Sequence, residues 1–128
     1  MYDTPSKIAF RMLTSFKKNI NSLKQEVKQK GQKFTRLFKG QDVGINLYGL
    51  MHHSGCFWEY ENTSTLYMLE ETITVKLENA WIDGYDGNTV KIVLHPNQKK
   101  LIEVVYGEGE HSAGTGNLEN CTFRITKV

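Results

Sequence analysis

Thr72-Ile73-Thr74-Val75-Lys76-Leu77-Glu78 alternates polar and apolar side chains without a break, and Asp83-Gly84-Tyr85-Asp86-Gly87-Asn88 follows shortly after it. Successive side chains of a strand point to opposite faces, so the first stretch predicts a half-buried antiparallel strand with Ile73, Val75, Leu77 and Trp81 on its apolar face. The second stretch holds two Asp-Gly pairs, which tolerate the positive φ angles of tight turns. Downstream, Thr89 to His95 places Val90, Ile92 and Leu94 on one face. Pro96 to Lys99 reads as a turn, and Lys100 to Tyr106 returns with Ile102, Val104 and Tyr106. Three strands joined by loops this short predict a meander.

The same reading extends outward. Gly107 to Asn120, rich in Gly, Glu and Asn, is expected to be a mobile loop, and Cys121 to Val128 a last strand with Cys121, Phe123 and Ile125 on one face. Val43 to His52 and Cys56 to Glu61 read as a hairpin turning at His53 to Gly55. Leu66 to Glu71 leads into the long strand or forms a helical turn.

Before Gly40 the period is different. Leu13, Phe16, Ile20, Leu23, Val27, Phe34 and Leu37 recur at steps of three and four, interrupted where Lys30 takes the expected apolar place. Such steps put side chains on one helical stripe. Thr4 is suited to cap and Pro5 to open a helix, and Gly31 to stop or kink it. The spacing predicts a helix from Pro5 to Lys30, kinked or divided in two near Asn19 to Ser22, then a helical turn over Lys33 to Lys39. The expected fold class is therefore α+β: a basic amphipathic N-terminal helix, single, kinked or double, packed on an antiparallel meander of five or six strands. One domain spans 1–128, with a basic helical segment at 1–40 and an acidic sheet at 41–128.

The 128 residues carry 16 Lys plus Arg against 14 Asp plus Glu, a net charge of +2 that hides a segregation. Residues 1–40 hold ten basic and two acidic side chains, net +8, and the remainder six and twelve, net −6. Segregated charge points to an interaction segment, and lysines spaced four apart, such as Lys24 and Lys28, repel unless an anion relieves them. No apolar run reaches the length of a membrane span. Met1 to Ser6 lacks the features of a secretory signal, so the expected compartment is the cytoplasm, with Cys56 and Cys121 as reduced thiols.

Catalytic chemistry is thinly signalled. His52 and His53 are neighbours on a strand and point apart, which works against one metal ion, and further ligands would have to come from other strands. Cys56 with His111 forms a nucleophile and base only on paper. Glu59 with Glu61, and Glu70 with Glu71, fit solvent-facing strand positions as well as acid–base work. Gly107-Glu108-Gly109-Glu110 follows a strand, but it opens no helix and its carboxylates would repel phosphate. No catalytic residue, metal or cofactor is expected.

Binding remains. A compact module with a basic arm and an acidic sheet suits an inhibitor, immunity-type or adaptor protein recognising another protein by charge complementarity. Lys17, Lys18, Lys24, Lys28 and Arg36 would act on the basic side, and Glu59, Glu61 and Trp58 on the sheet. The same basic arm offers an alternative, a nucleic acid or other anionic surface, with aromatic residues available to stack on bases. Self-association, one chain's arm on another's acidic sheet, is a third way to satisfy the charges.

Overall fold

A computed structural model describes residues 22–109, 111–116 and 121–128. Its strands are β1 (Gln32–Phe38), β2 (Gln41–His52), β3 (Gly55–Asn62), β4 (Tyr67–Glu78), β5 (Ala80–Ile82), β6 (Thr89–Leu94), β7 (Lys99–Tyr106), β8 (Ala113–Gly116) and β9 (Thr122–Lys127), preceded by helical residues 22–24 and the helical turn α1 (Val27–Lys30). Strands take 64% of the described residues and helix 7%, so the fold is mainly β and the α+β expectation is corrected. Most of the helix expected over Pro5 to Lys30 lies outside the described residues. The helical turn expected over Lys33 to Lys39 is instead strand β1.

Every residue from Gln32 to Phe38 has a partner on β2. Lys39 (φ 50°) and Gly40 (φ 78°) close the two strands with a two-residue turn in the left-handed region. That geometry follows the twist of the flanking strands. The register shifts between Arg36 and Leu37, where Val43 and Gly44 of β2 are passed over, so the extra residues of this bulge lie on β2 and β1 keeps Phe34, Arg36 and Phe38 on one face.

Two antiparallel sheets pack face to face. The larger has the order β1-β2-β3-β7-β5; in the smaller, β4 pairs with β6 on one side and with β8 and β9 in succession on the other. The β2–β3 hairpin turns at His53 and Ser54, with His52 opposite Gly55. After β3 the chain alternates between sheets, so the expected meander is corrected too: β4 and β6 pair, but β7 inserts between β3 and β5. Asn79 (φ 47°) breaks the alternation between β4 and β5. Ile82 is thereby turned inward and Trp81 is left half exposed. Within the expected loop at 107–120, residues 113–116 form β8 against Val75 to Glu78.

One core fills the space between the sheets. Phe38, Ile45, Leu47, Tyr60, Ile102 and Val104 of the larger sheet meet Leu69, Ile73, Val75, Val90, Ile92 and Leu94 of the smaller. Each such side chain contributes roughly 1.5–3 kcal/mol when fully buried. A second cluster lies on the outer face of the larger sheet, where Val27 packs on Tyr48 and Phe57, flanked by Leu23, Leu50 and Leu101. No helix among the described residues is long and apolar enough to cross a membrane.

Candidate binding site

The alternation of β1 and β4 brings two inward-facing charges together. Leu69, Ile73 and Val75 are buried, and Glu71 occupies the inward position between them with 1% exposure. Arg36 lies inward between Phe34 and Phe38 on β1 and bonds Glu71 Oε2 through Nη2. Tyr60 Oη donates to Glu71 Oε1 (2.9 Å), and Cys121 Sγ lies 3.4 Å from Oε2 and 3.2 Å from Arg36 Nη2. Arg36 also stacks over the Phe38 ring at 4.7 Å.

Burial works against the Arg36 charge, yet the Glu71 carboxylate outweighs it and holds the guanidinium above its ordinary range. Burial, then Glu71, pushes the Tyr60 hydroxyl and the Cys121 thiol upward. All three groups therefore present protons to one carboxylate, an arrangement suited to fastening the sheets together.

Beside this cluster lies a cavity of about 230 Å³, walled by Phe34, Leu47, Trp58, Tyr60 and Ile73, with Gly49, Gly114 and Thr115 completing it. Phe34 is 47% exposed and Thr115 is exposed, which places the opening on their side.

On the outer face, residues 22–30 meet the carboxylates of the sheet. Lys28 Nζ bonds Glu61 Oε2 at 2.6 Å and Lys24 Nζ bonds Glu103 Oε2 at 2.9 Å. The hydrogen bond and charge of Glu61 raise the Lys28 pKa. Tyr48 Oη reaches the other Glu61 oxygen at 3.4 Å, and Glu59 is buried. The basic segment thus satisfies part of the acidic sheet within the same chain.

Of the residues expected to bind, Lys24, Lys28, Glu59 and Glu61 share this outer face, Arg36 is tied to Glu71 between the sheets, and Trp58 walls the cavity. Lys17 and Lys18 lie outside the described residues. The structure does not gather these positions into one surface.

The other reactive side chains are dispersed. His52 Nδ1 accepts the Ser54 amide (3.1 Å) and its ring lies 4.7 Å from that of Phe57; burial lowers its pKa. The Cys56 thiol is pushed up by burial to about 11, which suppresses the thiolate a nucleophile needs. Glu70, on the face opposite Glu71, bonds Arg124 at 3.1 Å. No group of three His, Cys, Asp or Glu that could hold a metal occurs among the described residues.

Two features were missed from the sequence. Glu71 and Arg36 interrupt apolar alternations at inward positions, and that interruption was the available signal. Strand β1, which among the described residues lies at the edge of its sheet with Phe34 and Leu37 (53% exposed) flanked by exposed Lys33 and Lys39, was hidden by its helix-like spacing. No protein-family model, curated protein or solved structure matches the chain.

Proposed function

We propose that the protein is a non-enzymatic protein-binding module whose recognition surface is the β1 edge, and that its partner presents an extended segment alternating acidic and apolar side chains. The carrying observation is β1 itself. Among the described residues it is a seven-residue edge strand with exposed Phe34 and Leu37 between Lys33 and Lys39. Exposed edges of this length and apolarity are normally blunted, because their unpaired N–H and C=O groups accept another strand. The opposite edge of the same sheet, β5, is only three residues long. Asp42, across from Leu37 on β2, turns its carboxylate to the Gly44 amide (2.9 Å), and among the described residues no carboxylate pairs with Lys33 or Lys39, which leaves them for an acidic partner.

Charge-complementary recognition of a protein then falls to this edge rather than to the outer face, where Lys24 and Lys28 already meet Glu103 and Glu61. Strand addition supplies affinity through backbone hydrogen bonds, and the lysines supply orientation and rate of encounter.

The test is amide chemical-shift titration of the full chain with a synthetic seven-residue peptide alternating Glu and Val. Saturable shifts confined to Gln32 to Phe38, weakened by salt and abolished by Leu37→Asp or by K33E/K39E, are expected. A peptide with Lys in place of Glu should not bind. Shifts centred on the outer face or on β9, or equal binding of both peptides, would overturn the assignment of the edge.

A further inference from the structure

Gly49 stands in the interior of the twelve-residue strand β2, paired with Gln32 on one side and Trp58 on the other. Glycine weakens a strand interior, since it loses more backbone freedom on folding and offers no side chain to pack. Its usual excuses are absent here. Gly49 is not among the residues with positive φ, and among the described residues a Cβ built on it would meet only Trp58 Cδ1, at an ordinary 3.8 Å. Gly114 on the same cavity differs, because its Cβ would fall 2.8 Å from Val104 Cγ1. Crowding accounts for Gly114 but not for Gly49. What the missing side chain at Gly49 leaves is open space, and that space is part of the cavity walled by Phe34, Leu47, Trp58 and Ile73.

From this we infer that the cavity is a binding site for a compact, uncharged, mainly apolar molecule of one or two rings. Size sets the upper and lower limits: about 230 Å³ exceeds the roughly 150 Å³ of a dry apolar cavity that accepts benzene. The flat walls of Phe34 and Trp58 favour a ring, which they can meet edge to face or offset.

Charge is excluded by the surroundings. Among the described residues no charged side chain lines the cavity, and the carboxylate that Tyr60 reaches, Glu71, already receives Arg36, Tyr60 and Cys121. An ionised ligand would lose its hydration without gaining a partner. A single hydroxyl or ring N–H on the ligand can be served by Thr115, whose exposed side chain sits at the opening.

The experiment uses the full chain, with indole as the neutral probe and benzoate and benzylammonium as charged probes of similar size. Indole is expected to give saturable amide shifts at Gly49, Trp58 and Gly114 and to raise the thermal midpoint. The two ions should bind at least about tenfold more weakly, because an unpartnered charge must be desolvated. Gly49→Val should abolish indole binding while the midpoint without ligand stays level or rises. Should that variant fail to fold, Gly49→Ala, whose Cβ has room, is expected to weaken indole about tenfold by occupying the same space. Three results would each overturn the site: no saturation by indole up to its solubility, charged probes binding as well as indole, or folded Gly49 variants that bind like the natural sequence.

Discussion

Glu71 is the residue on which the two sheets turn. Its carboxylate, almost fully buried, accepts hydrogen bonds from Arg36, Tyr60 and Cys121, and a charge so placed is tolerable only while its partners remain. Glu71→Leu would strand Arg36, which is 11% exposed at its side chain, beside Phe38 with no carboxylate. The expected cost is about 3–5 kcal/mol by urea denaturation. Replacing both partners, R36M/E71L, should recover most of that loss, because matched apolar side chains avoid the desolvation altogether. A double variant as unstable as the single would mean that the hydrogen bonds to Tyr60 and Cys121 matter more than the ion pair. At this scale the sequence was partly legible. Leu69, Glu71, Ile73 and Val75 share one face, and so do Phe34, Arg36 and Phe38. Each apolar row has one charge of opposite sign in it, and reading them together would have placed β1 against β4. Treating Glu71 as half of a Glu70-Glu71 pair hid this, since neighbours on a strand face opposite sides.

The element that decides how the N-terminal part meets the sheet is the junction at Gly31. Its backbone is extended (φ −77°, ψ 162°), not left-handed, so its role is not the usual one of a helix-ending glycine. The reason is proximity. A Cβ there would lie 2.4 Å from the Val27 carbonyl oxygen and 2.9 Å from that of Gly49, both backbone atoms that cannot swing away. Gly31→Ala is therefore expected to push α1 off the outer face and destabilise the chain by about 1–3 kcal/mol, the usual cost of overpacking. Hydrogen exchange should locate the change, with protection lost at Tyr48 and Phe57 beneath Val27 and kept at Ile92 and Leu94 in the opposite sheet. Uniform loss across both sheets would refute a local junction. Gly31 was legible as the end of a helix, but the space that demands glycine is set by β2, distant in sequence. The same limit applies to the strands. Alternation marked most of them, yet in β1 the charge of Arg36 between Phe34 and Phe38 broke the apolar row while Phe34 and Leu37 continued the steps of three and four before them, and the positive φ of Asn79 moved Trp81 out of the apolar row. Neither irregularity has a residue signature strong enough to override the periodicity around it.

Across the whole molecule, the segregation of ten basic residues into 1–40 pointed outward, to a partner of opposite sign. The fold returns part of that charge inward: Lys24 meets Glu103 and Lys28 meets Glu61 across more than thirty residues of chain. Composition cannot distinguish charges meant for a partner from charges meant for a distant strand, because the pairing exists only once β3 and β7 lie side by side. The two cases differ in how they respond to a polyanion. Binding to double-stranded DNA releases counterions in proportion to the lysines that reach phosphate, and the slope of affinity against salt counts them at about 0.9 unit each. If Lys24 and Lys28 stay with their carboxylates, K24Q/K28Q should leave that slope unchanged, measured by fluorescence anisotropy with a labelled 20-mer at low salt. E61Q/E103Q, which frees both lysines, should steepen it by about two or create binding where the natural chain has none. A fall of about two in K24Q/K28Q would mean that the lysines abandon Glu103 and Glu61 for phosphate, and that the sheet's acidic outer face is uncovered whenever a nucleic acid is bound.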